Sequence, residues 1–292
     1  MLPPIGGRVS VRYRESGGGH TDVIGYLVAV SPRIVVRSSA DLVEIDPLEV
    51  VAVRELSHVP VRASQIRALE HAAALAWPGT EQHWHRGWLL RAAGGHTSRA
   101  NSAVPLDFSS SIADLPGIID WYTQRALTPW LALPERLLPI RAEGVKANRV
   151  MVRDLDAALP GGEAVLLDRP DPAWLARYQR DVPVEVLTAV IDGEVVFASV
   201  GDAVGRGAVT TAPDGVRWLG ISAVHVAAAQ RRLGLGRAVC EALFNWGLRQ
   251  GAQRAYVQVL ADNDAAVALY TSLGFGLHHR ARYLDARRLV AL

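Results

Sequence analysis

Apolar and polar residues alternate at intervals of two along the first part of the chain. The alternation and the shorter apolar runs that follow it occur in four segments, 8–14, 23–30, 34–37 and 50–53. Glycines and a Ser-Pro pair separate these segments and mark turns. Alternation of this kind is typical of strands with one buried face. The pattern therefore predicts a small antiparallel β-barrel in residues 1–57.

The middle region, residues 58–156, mixes two hydrophobic periods. Apolar residues recur at helical spacing in 63–76, where Ile66 and Leu69 share a face, and again in 115–126. The remaining apolar stretches predict a hairpin from 87–93 and 99–104, a strand at 129–133, and a strand or hairpin pair in 144–155.

The last region, residues 157–292, alternates strand and helix patterns more completely. Helices are predicted at 172–180, 231–249 and 264–272. Strands are predicted at 184–191, 195–202, 218–226, 255–260 and 278–284. This alternation predicts a mixed α/β fold with at least part of the sheet parallel.

Composition narrows the class of protein. The net charge of +2 gives no electrostatic reason to expect a nucleic-acid partner. A single cysteine, Cys240, excludes an internal disulfide framework, and the helical pattern around it predicts a buried, inert thiol. No apolar run reaches the length of a membrane span, and the start of the chain lacks a signal-peptide pattern. We therefore expect a soluble cytoplasmic protein without a membrane partner.

One loop has a sequence pattern that is typical of an anion-binding site. The apolar strand that ends at Val226 leads through a loop with Gly234 and Gly236 directly into an amphipathic helix. Backbone N–H groups at a helix start attract anions, and glycines allow a ligand to approach the backbone closely. The loop lacks the third glycine of a dinucleotide-binding loop and the Gly-Lys-Ser/Thr of a Walker loop. The sequence therefore predicts a site for a pyrophosphate group of another kind.

The same stretch resembles the GCN5-related N-acetyltransferase (GNAT) family. Its Arg-x-x-Gly-x-Gly signature corresponds to Arg231 through Gly236, and the family's second signature corresponds to the stretch from Asn263 to Phe275. The resemblance implies a GNAT fold with a central mixed, twisted sheet in residues 157–292, preceded by an SH3-like barrel. The order of elements in 58–156 is similar but lacks the glycine loop, which predicts tandem GNAT-like halves of which the first is degenerate.

The resemblance also implies a cosubstrate and the residues that hold it. Acetyl-CoA would pair with the backbone of the strand end, place its pyrophosphate on the loop amides, and reach two residues of the second signature. These cofactor-binding positions are Val224, His225, Val226, Arg231, Arg232, Leu233, Gly234, Leu235, Gly236, Arg237, Asn263 and Tyr270. The arginines of this loop can equally form a solvated face or attract the 3′-phosphate.

The expected reaction is acetyl transfer to a primary amine, which belongs to a small molecule or a protein. The Val226 N–H would polarise the thioester carbonyl, and Tyr270 would protonate the leaving thiolate. Some relatives have a glutamate as the base on the fifth strand, where this chain has Gln258. This leaves His225 or a water relay as the base. A coenzyme A-binding sensor without catalysis is the alternative function.

The acceptor site is predicted from position. His278, His279 and Tyr283 lie on a strand that often borders the acceptor in the family, and the Arg99–Ser102 stretch either lines the acceptor pocket or is structural. His83, His85 and His96 match no zinc-ligand spacing, so no metal is expected. The sequence does not choose between a monomer and a homodimer.

Overall fold

The computed structural model describes residues 3, 5–15, 17–56, 60–160 and 163–290. The chain divides into two compact units, residues 1–61 with 276–279, and residues 62–275 with 280–292. Within the described ranges, no helix is both long and apolar enough to cross a membrane.

The first unit contains a five-stranded antiparallel sheet. Its strands are β1 (Arg8–Arg14), β2 (His20–Ala29), β3 (Ile34–Arg37), β4 (Leu42–Ile45) and β5 (Val50–Glu55), in the order β4-β3-β2-β1-β5. Alternate residues such as Val9, Val11 and Val36 are buried in its core. The predicted small N-terminal β domain is therefore confirmed, because period-two alternation places one face of each strand inside.

The second unit mixes helices with two sheets. Its first elements are α1 (Ala63–Ala76), β6 (Glu81–His85), β7 (Trp88–Ala92), β8 (Val104–Pro105), α2 (Leu115–Thr123), β9 (Trp130–Pro134) and β10 (Val145–Asp154). They are followed by β11 (Val165–Leu167), α3 (Pro172–Tyr178), α4 (Val184–Thr188), β12 (Glu194–Val200), β13 (Ala203–Thr211) and β14 (Arg217–Val226). The last are α5 (Leu235–Arg249), β15 (Arg254–Leu260), α6 (Asp264–Ser272), the 280–285 part of β16 (Gly276–Asp285) and α7 (Arg287–Val290).

The main sheet has eight strands in the order β11-β12-β13-β14-β15-β10-β16-β9. Strands β14 and β15 are parallel, whereas β11 to β14 form an antiparallel series and β10 is antiparallel to β15. The predicted mixed α/β sheet is confirmed. Helix α5 packs on it through buried Val239, Leu243 and Phe244.

The middle region contributes two strands to this same sheet. Strand β10 lies between β15 and β16, and β9 forms the edge beyond β16. Within the described part of 58–156, the other strands form only the three-stranded sheet β6-β7-β8. The two predicted halves thus share one sheet, and the boundary at 156/157 falls between two of its strands. The division into residues 1–57, 58–156 and 157–292 stays a prediction.

Two predicted elements differ in detail. The segment 184–191, predicted as a strand, contains helix α4 instead, because Val186 and Leu187 are both buried in the cluster around Trp174. Tertiary packing overrides the strand preference of its β-branched residues there. In 99–104 only Val104 belongs to a strand, so the predicted hairpin partner of 87–93 is much shorter. The segment 144–155 forms one long strand, the first of its two predicted alternatives.

Cys240 is fully buried in α5. Burial raises the pKa of its thiol to about 12, so the side chain stays protonated at neutral pH. The predicted burial of the thiol is confirmed, and its inertness stays a prediction.

Candidate functional site

The two parallel strands at the centre of the sheet separate toward their carboxyl ends. Their pairing begins at Trp218 and Arg254 and ends at Ile221 and Val257, although β14 continues to Val226 and β15 to Leu260. Parallel strands that stop pairing leave backbone N–H and C=O groups along the gap between them. The gap can therefore accept an extended ligand as an additional strand.

A bulge in β14 accompanies this separation. The register between β13 and β14 shifts between Val204 and Arg206, and Ala223 has a φ angle of 53°, which residues with a side chain rarely adopt. The ladder resumes with Val204 opposite His225. The end of β14 thus stays bonded to β13 on one side while it leaves β15 on the other.

The strand end leads into the start of α5. Gly234 occupies the N-cap position with a φ of 80°, and the helix begins at Leu235, later than the predicted 231. Arg232 also has a positive φ of 66°, so the residues before Gly234 turn away from helical geometry. No side chain caps the helix, and the first-turn N–H groups have no partner within it. A Cβ on Gly234 would meet no atom within 4 Å, so the space beside this turn is open.

The arginines of the loop have different partners. Arg231 donates from Nε to the backbone carbonyl oxygen of Val226 at 3.2 Å, which closes the loop over the strand end. Arg237 pairs with Glu241 at 3.4 Å and donates to the Ser272 hydroxyl at 2.9 Å. These two guanidinium groups hold the loop and α6 in place. The exposed Arg232 is the loop cation without such a bond in the described contacts.

These features fit a ligand with an extended arm and a diphosphate group. The gap between β14 and β15 suits an extended arm, and the helix start of α5 directly after it suits two phosphate groups. The open space at Gly234 permits close approach to the backbone. Within the described ranges, no group of three His, Cys, Asp or Glu side chains is placed to hold a metal.

The two residues of the second signature lie at the two ends of α6. Asn263 is the N-cap, and its Oδ1 accepts from the Ala266 N–H at 3.1 Å, so its amide nitrogen can donate to a ligand without disturbing the cap. Tyr270 is buried beside Phe275, with the ring centroids 5.7 Å apart. Burial raises the pKa of its hydroxyl well above the ordinary value of 10, so the group is protonated at neutral pH.

The glutamine at the position of the missing glutamate belongs to a hydrogen-bonded chain. Arg99 donates from Nε to Gln258 Oε1 at 2.7 Å, and Gln258 donates from Nε2 to Glu70 Oε1 at 3.2 Å. Glu70 lies on α1 and is only 7% exposed. Gln258 itself lies just beyond the last β14–β15 pair. A buried carboxylate from the middle region is thereby placed beside the separating strands.

A narrow cavity surrounds this chain of bonds. It has about 20 Å³ of space for the centres of water molecules, enough for roughly one water. Its lining residues are Glu70, Ala73, Arg91, Arg99, Ala132, Asn148, Val150, Gln258, Ala281, Arg282 and Tyr283.

Two of these residues, Arg99 and Tyr283, are predicted from the sequence as neighbours of an acceptor site, and that role stays a prediction. The sequence pattern did not point to Glu70 or the buried Arg91. A signal for Glu70 existed, because it interrupts the apolar face that Ile66, Leu69 and Ala73 form on α1. A carboxylate on such a face needs a polar partner, but the partner on β15 is far away in the sequence.

Two of the predicted histidines, His279 and His225, differ in exposure. His279 is fully buried and hydrogen-bonded to His278, with their Nδ1 atoms 2.8 Å apart, and neither residue lines the cavity. The Nε2 of His225 is buried without a hydrogen-bond partner, and burial, followed by the Arg231 charge, lowers its pKa. His225 therefore lies on the strand as predicted, but its ring does not reach the cavity around Gln258.

Comparison with known proteins places this arrangement in a family. Residues 63–284 match the family model described as "Probable histone acetyltransferase Rv0428c C-terminal", and residues 3–54 match "Rv0428c N-terminal Sm-like domain". The second match corrects the predicted SH3-like class of the N-terminal domain to Sm-like. Five strands with one buried face fit both descriptions, so the sequence pattern could not separate them.

Individual relatives agree with these matches. The chain is 48% identical over 293 residues to a protein named "Probable histone acetyltransferase Rv0428c" from Mycobacterium tuberculosis, covering 98% of this chain and 96% of the relative. It is 27% identical over 252 residues to "Uncharacterized N-acetyltransferase YobR" of Bacillus subtilis, covering 72% of this chain and 94% of that protein.

A solved structure shares the fold. A GCN5-related N-acetyltransferase from Kribbella flavida superimposes with a TM-score of 0.56 at 16% identity, over 77% of this chain and 95% of its own. The extent of the family match and the identity to the mycobacterial relative together show that this chain belongs to the Rv0428c family, whose C-terminal region has the GNAT fold.

Proposed function

We propose that this protein transfers an acetyl group from acetyl-CoA to a primary amine by direct attack within a ternary complex. The observation that carries the proposal is the separation of β14 from β15, followed directly by the uncapped start of α5. The names of the mycobacterial and Bacillus relatives, which describe acetyltransferases, support the same reaction class.

The proposed site holds acetyl-CoA mainly through backbone groups. Val224, His225 and Val226 present the edge of β14 to the pantetheine arm, and the N–H groups from Arg232 to Arg237 face the pyrophosphate. The Val226 carbonyl already accepts from Arg231, so the Val226 N–H is the group proposed to polarise the thioester carbonyl. When bound, acetyl-CoA supplies the activated acyl group. Holding it beside the amine contributes several kcal/mol through orientation alone.

Tyr270 is the proposed proton donor to the leaving thiolate. Its buried hydroxyl stays protonated over the neutral range, so it carries the proton when the carbon–sulfur bond breaks. Its place among Phe275 and other apolar side chains excludes water from that step. After coenzyme A has left, the tyrosine recovers its proton from solvent.

Thiol release on mixing the protein, acetyl-CoA and a panel of amines tests this proposal. The panel contains a diamine, an aminoglycoside, an amino-acid ester and a lysine peptide, and acetyl-CoA hydrolysis without amine is the blank. We expect at least one amine to raise thiol release well above the blank. If acetyl-CoA binds but no amine raises thiol release, the protein is instead a coenzyme A-binding sensor. The presence of Gln258 in place of a glutamate supports that alternative.

A further inference from the structure

We propose that Glu70 of α1 is the proton acceptor for the attacking amine, in place of the glutamate that β15 lacks. The inference rests on the proposed function and adds the base of the same site.

The position of Glu70 is fixed through Gln258. Arg99 donates to the oxygen of the Gln258 amide at 2.7 Å, which orients the amide nitrogen toward Glu70, 3.2 Å from its Oε1. The carboxylate of Glu70 on α1 therefore lies next to Gln258 on β15, the position at which some relatives have the glutamate base. The arrangement also explains why an amide suffices at 258: it positions the carboxylate and takes no proton itself.

Glu70 is the only carboxylate among the residues that line the cavity. Two cations of the lining bond to backbone groups: Arg91 donates to the Trp77 carbonyl oxygen, and Arg282 donates to the carbonyl oxygens of Ile140 and Ala142. The cavity accommodates about one water, which can bridge the carboxylate to an amine nitrogen beyond hydrogen-bond reach.

The other titratable groups near the strand ends suit this role less well. Burial raises the pKa of the Tyr283 hydroxyl, so it stays protonated at neutral pH. His225 has a buried Nε2 and does not line the cavity. Arg91, Tyr256 and Tyr283 are among the groups that interact electrostatically with Glu70. Arg99, which is hydrogen-bonded to Gln258, contributes a further positive charge to the lining of the same cavity.

The proton balance of the step is complete. The ammonium form of the acceptor loses one proton to Glu70, directly or through the water, and its nitrogen lone pair forms the new carbon–nitrogen bond as the carbon–sulfur bond breaks. The thiolate receives the proton of Tyr270. The nitrogen that has formed the new bond still carries a second proton, which it loses to solvent as the neutral amide forms. Glu70 also releases its proton to solvent and Tyr270 recovers one, so two protons leave, one returns, and one proton is released net per turnover.

The test compares wild type, Glu70→Gln and the control Glu185→Gln, an exposed glutamate on α4, in the thiol-release assay with acetyl-CoA and the same amines. We expect Glu70→Gln to lower kcat/KM about a hundredfold, with acetyl-CoA affinity and melting temperature close to wild type. Its rate should keep rising with pH up to the pKa of the amine, because only amine already deprotonated in solution then reacts. The wild-type rate should level off earlier, and Glu185→Gln should match wild type.

A second variant, in which the carboxylate is moved from position 70 to position 258, distinguishes loss of the base from a structural effect of the substitution. Glu70→Gln combined with Gln258→Glu returns a carboxylate to the cavity from β15. We expect kcat/KM of this double variant to be at least tenfold higher than that of Glu70→Gln alone, with the pH profile of wild type. The inference is overturned if Glu70→Gln retains wild-type rate and pH profile, or if its loss is not recovered by the relocated carboxylate. If wild type itself releases no thiol with any amine, the proposed function fails and this inference with it.

Discussion

Replacing Tyr270 by phenylalanine is expected to lower amine-dependent thiol release about a hundred- to a thousandfold, while acetyl-CoA binds as tightly as before. The ring is packed against Phe275, so the substitution removes the hydroxyl and keeps the aromatic contact. Without that hydroxyl, the thiolate leaves without a proton from the protein, and general acids of this kind contribute about 10²- to 10⁴-fold. Steady-state kinetics with a saturating amine and calorimetric titration of acetyl-CoA measure the two quantities separately.

Tyr178→Phe is the matched control for this substitution. Tyr178 is also a buried tyrosine with a raised pKa, but it packs on Trp174 in a different cluster. It should retain nearly wild-type turnover. If Tyr270→Phe turns over like Tyr178→Phe, Tyr270 is a core aromatic and the proton comes from elsewhere.

Replacing Arg206 by methionine is expected to reduce the free energy of unfolding by about 3–5 kcal/mol. The guanidinium of Arg206 on β13 is fully buried and donates to the carbonyl oxygens of Leu187, Ala76 and Ala189. Burial lowers its pKa to about 10, so it remains a cation at neutral pH. Methionine keeps the length of the side chain but leaves these buried carbonyls without this donor, at about 1–3 kcal/mol each.

The same substitution also tests how the middle region supports the site. Arg206 stacks on Trp77 at 4.6 Å, and the Trp77 Nε1 donates to Ser222 next to the bulge at Ala223. Urea unfolding measures the loss, with Arg177→Met as the control. Arg177 contacts Asp202 at 3.4 Å on the surface, where such pairs contribute less than about 1 kcal/mol. Equal losses in the two variants would contradict the structural role given to Arg206.

The sequence alone predicted the features that depend on neighbouring residues. The loop at Gly234 was recognisable because a strand, a glycine turn and a helix follow one another within a short stretch. The alternation in residues 8–14 likewise predicted a strand, because side chains two residues apart share a face. These patterns require no knowledge of distant contacts.

Features that depend on distant contacts were not predictable in the same way. Glu70 and Gln258 are separated by 188 positions in the chain, so their hydrogen bond has no sequence pattern. The place of β10 between β15 and β16 follows from sheet topology rather than from the composition of β10. The short α4 was predicted as a strand because five residues carry too few positions to separate the two periods.

Calorimetric titration of the intact protein with acetyl-CoA tests the central claim most directly, namely that the gap beside β14 and the uncapped start of α5 hold this cosubstrate. We expect saturable heat with one site per chain. Gly234→Val should weaken the binding about tenfold or more, because a β-branched residue at a φ of 80° costs about 1–3 kcal/mol and distorts the turn. Absence of heat with both acetyl-CoA and free coenzyme A would contradict the account and the roles of all the residues assigned to the site.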